Sequence, residues 1–203
     1  MIRNLVFDFG NVLVDWRPER HLVDYVGSEE EALMWRKRIW CAYWGEGDRG
    51  MVTREQITEY LVGLYPEQEA MLREVTAIEQ EWLVMLPDTE EFLEKLRAAG
   101  YRLYYLSNTS APDYASMMRR LPALSKLDGG IASFQEKLLK PDPAIFTTLL
   151  SRFGLDPEES LFMDDALKNL DGAASVGMKT LHVPNIESLR ANLTAYLAAE
   201  AGK

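Results

Sequence analysis

The chain has 203 residues, 47% hydrophobic and 27% charged, the proportions of one globular unit or of one unit carrying a modest insertion. Lys and Arg number 22 against 32 Asp and Glu, a formal charge of −10. That balance lacks the basic footprint of a nucleic-acid binder and works against docking on an anionic membrane. It also repels small anions at long range, so an anionic substrate would need local positive charge or a metal. The one cysteine, Cys41, excludes an internal disulfide, and the two histidines, His21 and His182, exclude a multi-His metal site. The first residues lack the apolar core and cleavage site of a signal peptide, and no apolar run approaches the ~20 residues of a membrane span. The expected compartment is the cytoplasm.

Leu5-Val6-Phe7 is an apolar run ending at Asp8 and reads as a buried strand of a parallel sheet. Residues 16 to 86, rich in Trp, Glu and Arg, hold no convincing strand. Ser28 and Thr53 each open a capping box, and Met71, Val75, Ile78 and Trp82 recur at helical spacing, so this stretch reads as several packed helices. From Pro87 the pattern alternates. A helix starts at Asp88 and stops at Gly100. A strand runs from Arg102 to Leu106, a helix from Ala111 to Arg120, and a weak strand lies around Ile131 to Phe134. Asp142-Pro143 opens a helix that ends at Gly154. Ser160 to Met163 is a strand ending in Asp164-Asp165. A helix to Gly177, a strand Thr180 to Val183 and a last helix inward through Leu189, Leu193 and Leu197 complete the chain.

Strands alternating with helices predict an α/β fold, a three-layer Rossmann-like parallel sheet with helices on both faces. The expected core is residues 1–15 and 87–203, and residues 16–86 are an inserted all-helical cap. Ligand crevices in such sheets lie at the carboxyl ends of the strands, where this insertion would cover them.

Four polar clusters fall at those ends: Asp8, Ser107-Asn108, Lys140 and Asp164-Asp165. One Asp closing a strand is an ordinary helix N-cap. Two adjacent acids joined by Asp8 are costly to bury unless a cation neutralises them, and Mg²⁺ suits a few carboxylates plus water and phosphate. Lys140 alone reads as a solvated surface lysine and Ser107 alone as a turn residue; the combination changes both readings.

With these four clusters in order, the chain resembles the haloacid-dehalogenase-like hydrolase superfamily. Asp8-Phe9-Gly10-Asn11-Val12 is similar to its first motif, Ser107-Asn108 to its second, Lys140-Pro141 to its third, and Asp164-Asp165 with Asn169 to its fourth. The insertion resembles the helical cap of the subfamily holding sugar-phosphate phosphatases, closest to bacterial α-D-glucose-1-phosphate phosphatase-like proteins. The resemblance implies that Asp8 is the nucleophile and that Mg²⁺ is held by Asp8, the Gly10 carbonyl and Asp165. It further implies that Ser107, Asn108 and Lys140 hold phosphate, that Asp164 orients Lys140 or a metal-bound water, and that Asn169 supports them.

One departure matters. Most phosphatases of this superfamily carry a second Asp two residues after the nucleophile as general acid and base, and here Gly10 stands there. Asp15, a cap residue, water or an easily expelled leaving group are the alternatives. Trp44 and Arg49 are candidates for substrate contact. Trp35, Trp40 and Trp44 offer a sugar-stacking platform or, as their helical spacing favours, cap core. Gly45-Glu46-Gly47-Asp48-Arg49-Gly50 matches a dinucleotide pattern out of context and reads as a turn between two cap helices. Gln135 and Lys137 stand where an acid and a glycine are usual.

The expected function is a Mg²⁺-dependent phosphomonoesterase acting on a small phosphorylated metabolite, a sugar phosphate foremost, as monomer or homodimer. The alternatives are a metal-independent haloacid dehalogenase-type hydrolase and a catalytically weak phosphate-binding protein.

Overall fold

The computed structural model describes residues 1–202. Five strands, β1 (Asn4–Phe7), β2 (Arg102–Ser107), β3 (Gly129–Ala132), β4 (Ser160–Asp164) and β5 (Lys179–His182), form one parallel sheet in the order β3-β2-β1-β4-β5. The alternation along the strands explains the layering, because successive side chains point to opposite faces. Leu5, Phe7, Leu103, Tyr105, Leu161 and Met163 enter one hydrophobic cluster, while Val6, Tyr104, Leu106 and Phe162 enter a second. Helices α6 (Thr89–Ala98), α7 (Ala111–Arg120) and α11 (Leu189–Ala201) supply the first cluster through Leu93, Met117 and Leu189. After the short α8 (Ser133–Glu136), helices α9 (Pro143–Phe153) and α10 (Leu167–Ser175) supply the second through Ile145, Phe146 and Leu170.

Between β1 and α6 lie α1 (Glu19–Val26), α2 (Glu29–Ile39), α3 (Ala42–Asp48), α4 (Arg54–Leu64) and α5 (Glu69–Ile78). They bury a cluster of their own around Leu22, Ile39, Ile57, Leu61 and Leu72. Ser28 caps α2 and Thr53 opens α4 with a full capping box, as their sequence patterns predict. The glycine-rich stretch differs from expectation. Gly45, Glu46 and Gly47 lie inside α3, and the turn comes later, at Arg49–Thr53. Tertiary packing overrides the low helix propensity of glycine here, because a Cβ on Gly47 would collide with Ile57 of α4 at 2.6 Å.

β1 is the central strand; the chain winds outward from it to β2 and β3, then crosses back to β4 on the other side of β1 and on to β5. That reversal of winding opens a crevice at the carboxyl ends of β1, β2 and β4. Asp8 follows β1, Ser107 ends β2 and Asp164 ends β4. The fourth cluster arrives on the segment before α9, whose Lys140–Pro141 peptide bond is cis. α10 lies against that segment through Gly172, where a Cβ would sit 2.3 Å from the Pro141 carbonyl oxygen and 2.9 Å from the Phe146 ring. Gly172→Ala is therefore expected to cost about 1–3 kcal/mol by overpacking. Urea unfolding measures it, and an unchanged midpoint would contradict the close approach.

Candidate active site

Lys140 is buried at the end of the sheet between two carboxylates. Its Nζ lies 2.8 Å from Asp8 Oδ1 and 2.7 Å from Asp164 Oδ2, and its side chain is 1% exposed. Asn108 holds the lysine's backbone from both sides, with its Nδ2 donating to the Lys140 carbonyl at 3.0 Å and its Oδ1 accepting the Lys140 N–H at 2.8 Å. Asp164 is saturated. Oδ1 accepts from Ala166 N and Asn169 Nδ2, and Oδ2 takes Lys140 and a second contact from Asn169. Asp8 Oδ1 also accepts from the Phe9 N–H at 2.7 Å. Burial pushes the Asp8 carboxyl up to about 7, with Asp164 and Asp165 adding to the rise and Lys140 opposing it.

Asp165 completes the acidic group. Its Oδ2 accepts from Asn11 Nδ2 at 2.8 Å, and Asn11 Oδ1 accepts the Trp16 N–H at 3.1 Å. Asn11 has a left-handed backbone, φ 57°, a conformation asparagine tolerates better than most side-chain-bearing residues. His182 Nε2 lies 3.1 Å from the Asp165 carbonyl. Burial raises the Asp165 carboxyl, Asn11 counters it, and Asp164 adds to it. Asp8, Asp164 and Asp165 each bring an oxygen within 4.8 Å of the others.

The donor set suits a small hard cation. With Asp164 fully engaged, Asp8 Oδ2 and Asp165 Oδ1 accept no hydrogen bond from any other described residue, and neither does the Gly10 carbonyl. Two carboxylate oxygens and one carbonyl, all oxygen donors, are a set that Mg²⁺ takes together with water.

Above this group, a cleft of about 100 Å³ separates the sheet from the helical block. Phe9, Gly10, Ser107 and Asn108 form its floor. Trp16, Trp40 and Trp44 form an aromatic wall, with Trp40 edge-on to Trp16 at 5.4 Å and tilted on Trp44 at 5.2 Å. Trp40 Nε1 is buried with no partner among the described residues. Asp48, Glu79 and Asp113 line the remaining side. Arg54 of α4 binds Asp113 of α7 through two contacts of 2.7 and 2.8 Å, pairs with Glu79, and lies over the Trp44 ring at 4.2 Å. One guanidinium thus ties the helical block to the sheet's helices.

Of the residues singled out by sequence, Asp8, Lys140, Asp164, Asp165 and Asn169 converge, and Gly10, Ser107, Asn108 and Trp44 line the cleft beside them. Two do not join. Asp15 is bound to Arg17 and Arg20 and bridges to Val84, outside the cleft lining. Arg49 lies 3.7 Å from Glu46 and is likewise outside that lining. Lys137 and Gln135 are exposed. Asn11 and the Arg54–Glu79–Asp113 group were not assigned from sequence, and Trp40, read there as cap core, also lines the cleft. Asn11 stands within the first motif and carried a signal; the ion-pair group joins residues up to 59 apart and carried none.

Comparison with known proteins agrees with this geometry. The family model of haloacid dehalogenase-like hydrolases matches residues 2–177, and the chain belongs to that family. A (S)-2-haloacid dehalogenase 4A from Burkholderia cepacia is 29% identical over 191 residues, covering 90% of this chain and 83% of its own. A D-ribitol-5-phosphate phosphatase from Bacteroides thetaiotaomicron is 27% identical over 211 residues, covering 97% and 99%. A crystal structure of a dehalogenase with an intermediate complex superposes with a TM-score of 0.71 at 25% identity, over 89% of this chain and 84% of its own. The protein is thus a hydrolase whose relatives include both dehalogenases and phosphatases. Among the described residues, no helix is long and apolar enough to cross a membrane.

Lys140→Ala leaves Asp8 and Asp164 buried without their cation, and breaking such a pair costs about 3–5 kcal/mol. The loss should be greater at pH 8 than at pH 5, because the lysine compensates ionised Asp8, whose proton leaves near 7. Chemical denaturation at the two pH values tests this, and equal losses would contradict it.

Proposed function

We propose that the protein is a Mg²⁺-dependent phosphomonoesterase of small phosphorylated metabolites, sugar phosphates foremost, working through an aspartyl-phosphate on Asp8. In this reading residues 1–15 and 87–203 are the hydrolase core and residues 16–86 a cap over its site. The observation that carries it is the convergence of buried Asp8 and half-buried Asp165, each with one carboxylate oxygen that no other residue's side chain engages. Three ionised acids and Lys140 sum to −3 + 1 = −2, a charge that a divalent cation cancels. A haloalkanoate displacement by Asp8 has no use for that cation.

The bound cation would supply charge neutralisation, letting an anionic phosphate approach an anionic nucleophile. The chain's own residues do the rest. Asp8 attacks phosphorus in line with the leaving oxygen, and water later cleaves the acyl phosphate. Lys140 presents its ammonium to a phosphate oxygen while Asp164 and Asn169 fix its direction, and the Ser107 hydroxyl holds another oxygen. Asn108 acts through the Lys140 backbone. Asp165 holds the cation, and Asn11 aims Asp165. The aromatic wall gives a sugar an apolar face.

The phosphatase relative favours this reading, and the dehalogenase relative together with Gly10 favours the other. Phosphate release from p-nitrophenyl phosphate with Mg²⁺, abolished in Asp8→Asn, is the expected result. Chloride release from 2-chloropropionate in excess chelator, with no phosphate released from the ester, would overturn it. Asn11→Ala should raise the Mg²⁺ concentration for half-maximal activity by about 10–100-fold. An unchanged Mg²⁺ titration would remove Asn11 from the cation site.

A further inference from the structure

One carboxyl group in the cleft is engaged by no other side chain. Asp48, the last residue of α3, lines the cleft together with Gly10 and Ser107, and its carboxyl makes no hydrogen bond or ion pair with the described residues. Its neighbours contrast with it. Glu79 is taken by Arg54, and Asp113 by Arg54 and the Ser110 hydroxyl.

The backbone of Asp48 is fixed to the sheet side of the cleft. Ser133 Oγ donates to the Asp48 carbonyl, and the same oxygen accepts the Thr109 N–H at 2.9 Å, two residues beyond Ser107. Gly50 presses the following turn onto the core. Its φ is +73°, and a Cβ there would lie 2.9 Å from the Phe134 carbonyl oxygen. The end of α3 is therefore tied, through Ser133, to the loop that follows Ser107.

Gly10, in the lining of the same cleft, has no side chain to give a proton to a departing alkoxide. Space for one exists: a Cβ on Gly10 would meet nothing closer than Trp16 Cβ at 3.7 Å. The cleft thus lacks an acid at the position where most phosphatases of the superfamily carry one, and its lining holds another acid that no side chain pairs.

We propose that Asp48 is a catalytic residue, the general acid that protonates the leaving-group oxygen when Asp8 attacks phosphorus. The inference rests on the phosphatase reading. As the Asp8 oxygen–phosphorus bond forms and the phosphorus–leaving-oxygen bond breaks, the Asp48 proton passes to that oxygen and an alcohol departs. Water then attacks the acyl phosphate, the phosphorus–Asp8 bond breaks, and the water's proton returns to Asp48, so the cycle balances.

The surroundings suit an acid. Burial and the nearby Asp113 carboxylate push the Asp48 carboxyl up to about 8, and only Arg54 opposes them. Glu79, also held well above the usual carboxylate range by burial, faces the same cleft, and Arg49 and Glu46 pair with each other beside it. Asp48 therefore keeps its proton at neutral pH and loses it as pH rises through about 8, the direction required of a proton donor.

The test is the first-turnover rate with saturating Mg²⁺ on two esters, p-nitrophenyl phosphate, whose phenol departs with little protonation, and a primary alkyl phosphate, which needs it. Asp48→Asn should lower the alkyl rate by about 10²–10⁴-fold and leave the aryl rate within about tenfold. The wild-type alkyl rate should fall above about pH 8 and the variant's should not. Gly10→Asp added to Asp48→Asn should recover alkyl cleavage. Retained aryl cleavage certifies that the variant folds. Equal losses on both esters, or none on either, would overturn the assignment while leaving the phosphatase reading intact. Failure of the wild type to cleave either ester would overturn both.

Discussion

The ammonium of Lys140, held between Asp8 and Asp164 at 2.8 and 2.7 Å, is the contact on which the rest of the site depends. Burying a lysine costs several kcal/mol unless its charge is met, and here two carboxylates from two strand ends meet it. The contact draws together the ends of β1 and β4 and the segment before α9. Asn108 from the end of β2 and Asn169 from α10 then act on that pair as brackets. Its residual negative charge falls on Asp8 and Asp165, whose spare oxygens face the place where the chain could seat a cation.

A second buried charge cluster does a different job. Arg54 joins the helical block to α7 through Asp113, and Ser133 joins it to the Thr109 loop through Asp48. Both links are polar and stand beside the edge-on contact of Trp16 with Trp40. Such contacts are suited to a block that closes over a small substrate and releases its product. The apolar cluster of the block is its own, centred on Leu22, Ile57 and Leu72, and does not merge with either cluster of the sheet.

The sheet was legible because the period-two burial of strands such as Leu5-Val6-Phe7 and Leu161-Phe162-Met163 leaves an unbroken apolar run, and each run stops at an acid. The acids at the ends of β1 and β4 could be joined once the parallel order was inferred. Less was legible in the helical block. Gly45 and Gly47 argued for a turn, yet Ile57 packs against Gly47 and keeps that stretch helical. Trp40 and Trp44 read as core by spacing and prove to be both packing and cleft wall. Asp15 looked available beside the nucleophile, but Arg17, two residues on, occupies it. Asp48 was hidden in a misread glycine motif. Such facts depend on where one helix meets another, and local sequence carries no record of that meeting.

The account turns on whether the spare oxygens of Asp8 and Asp165 hold a divalent cation. Calorimetric titration of Mg²⁺ into the metal-free protein, with inorganic phosphate present to complete the coordination, tests this directly. It should give one ion per chain, with binding lost in Asp165→Asn and the fold unchanged by circular dichroism. Absence of Mg²⁺ binding in the wild type, or equal binding in the variant, would contradict the account.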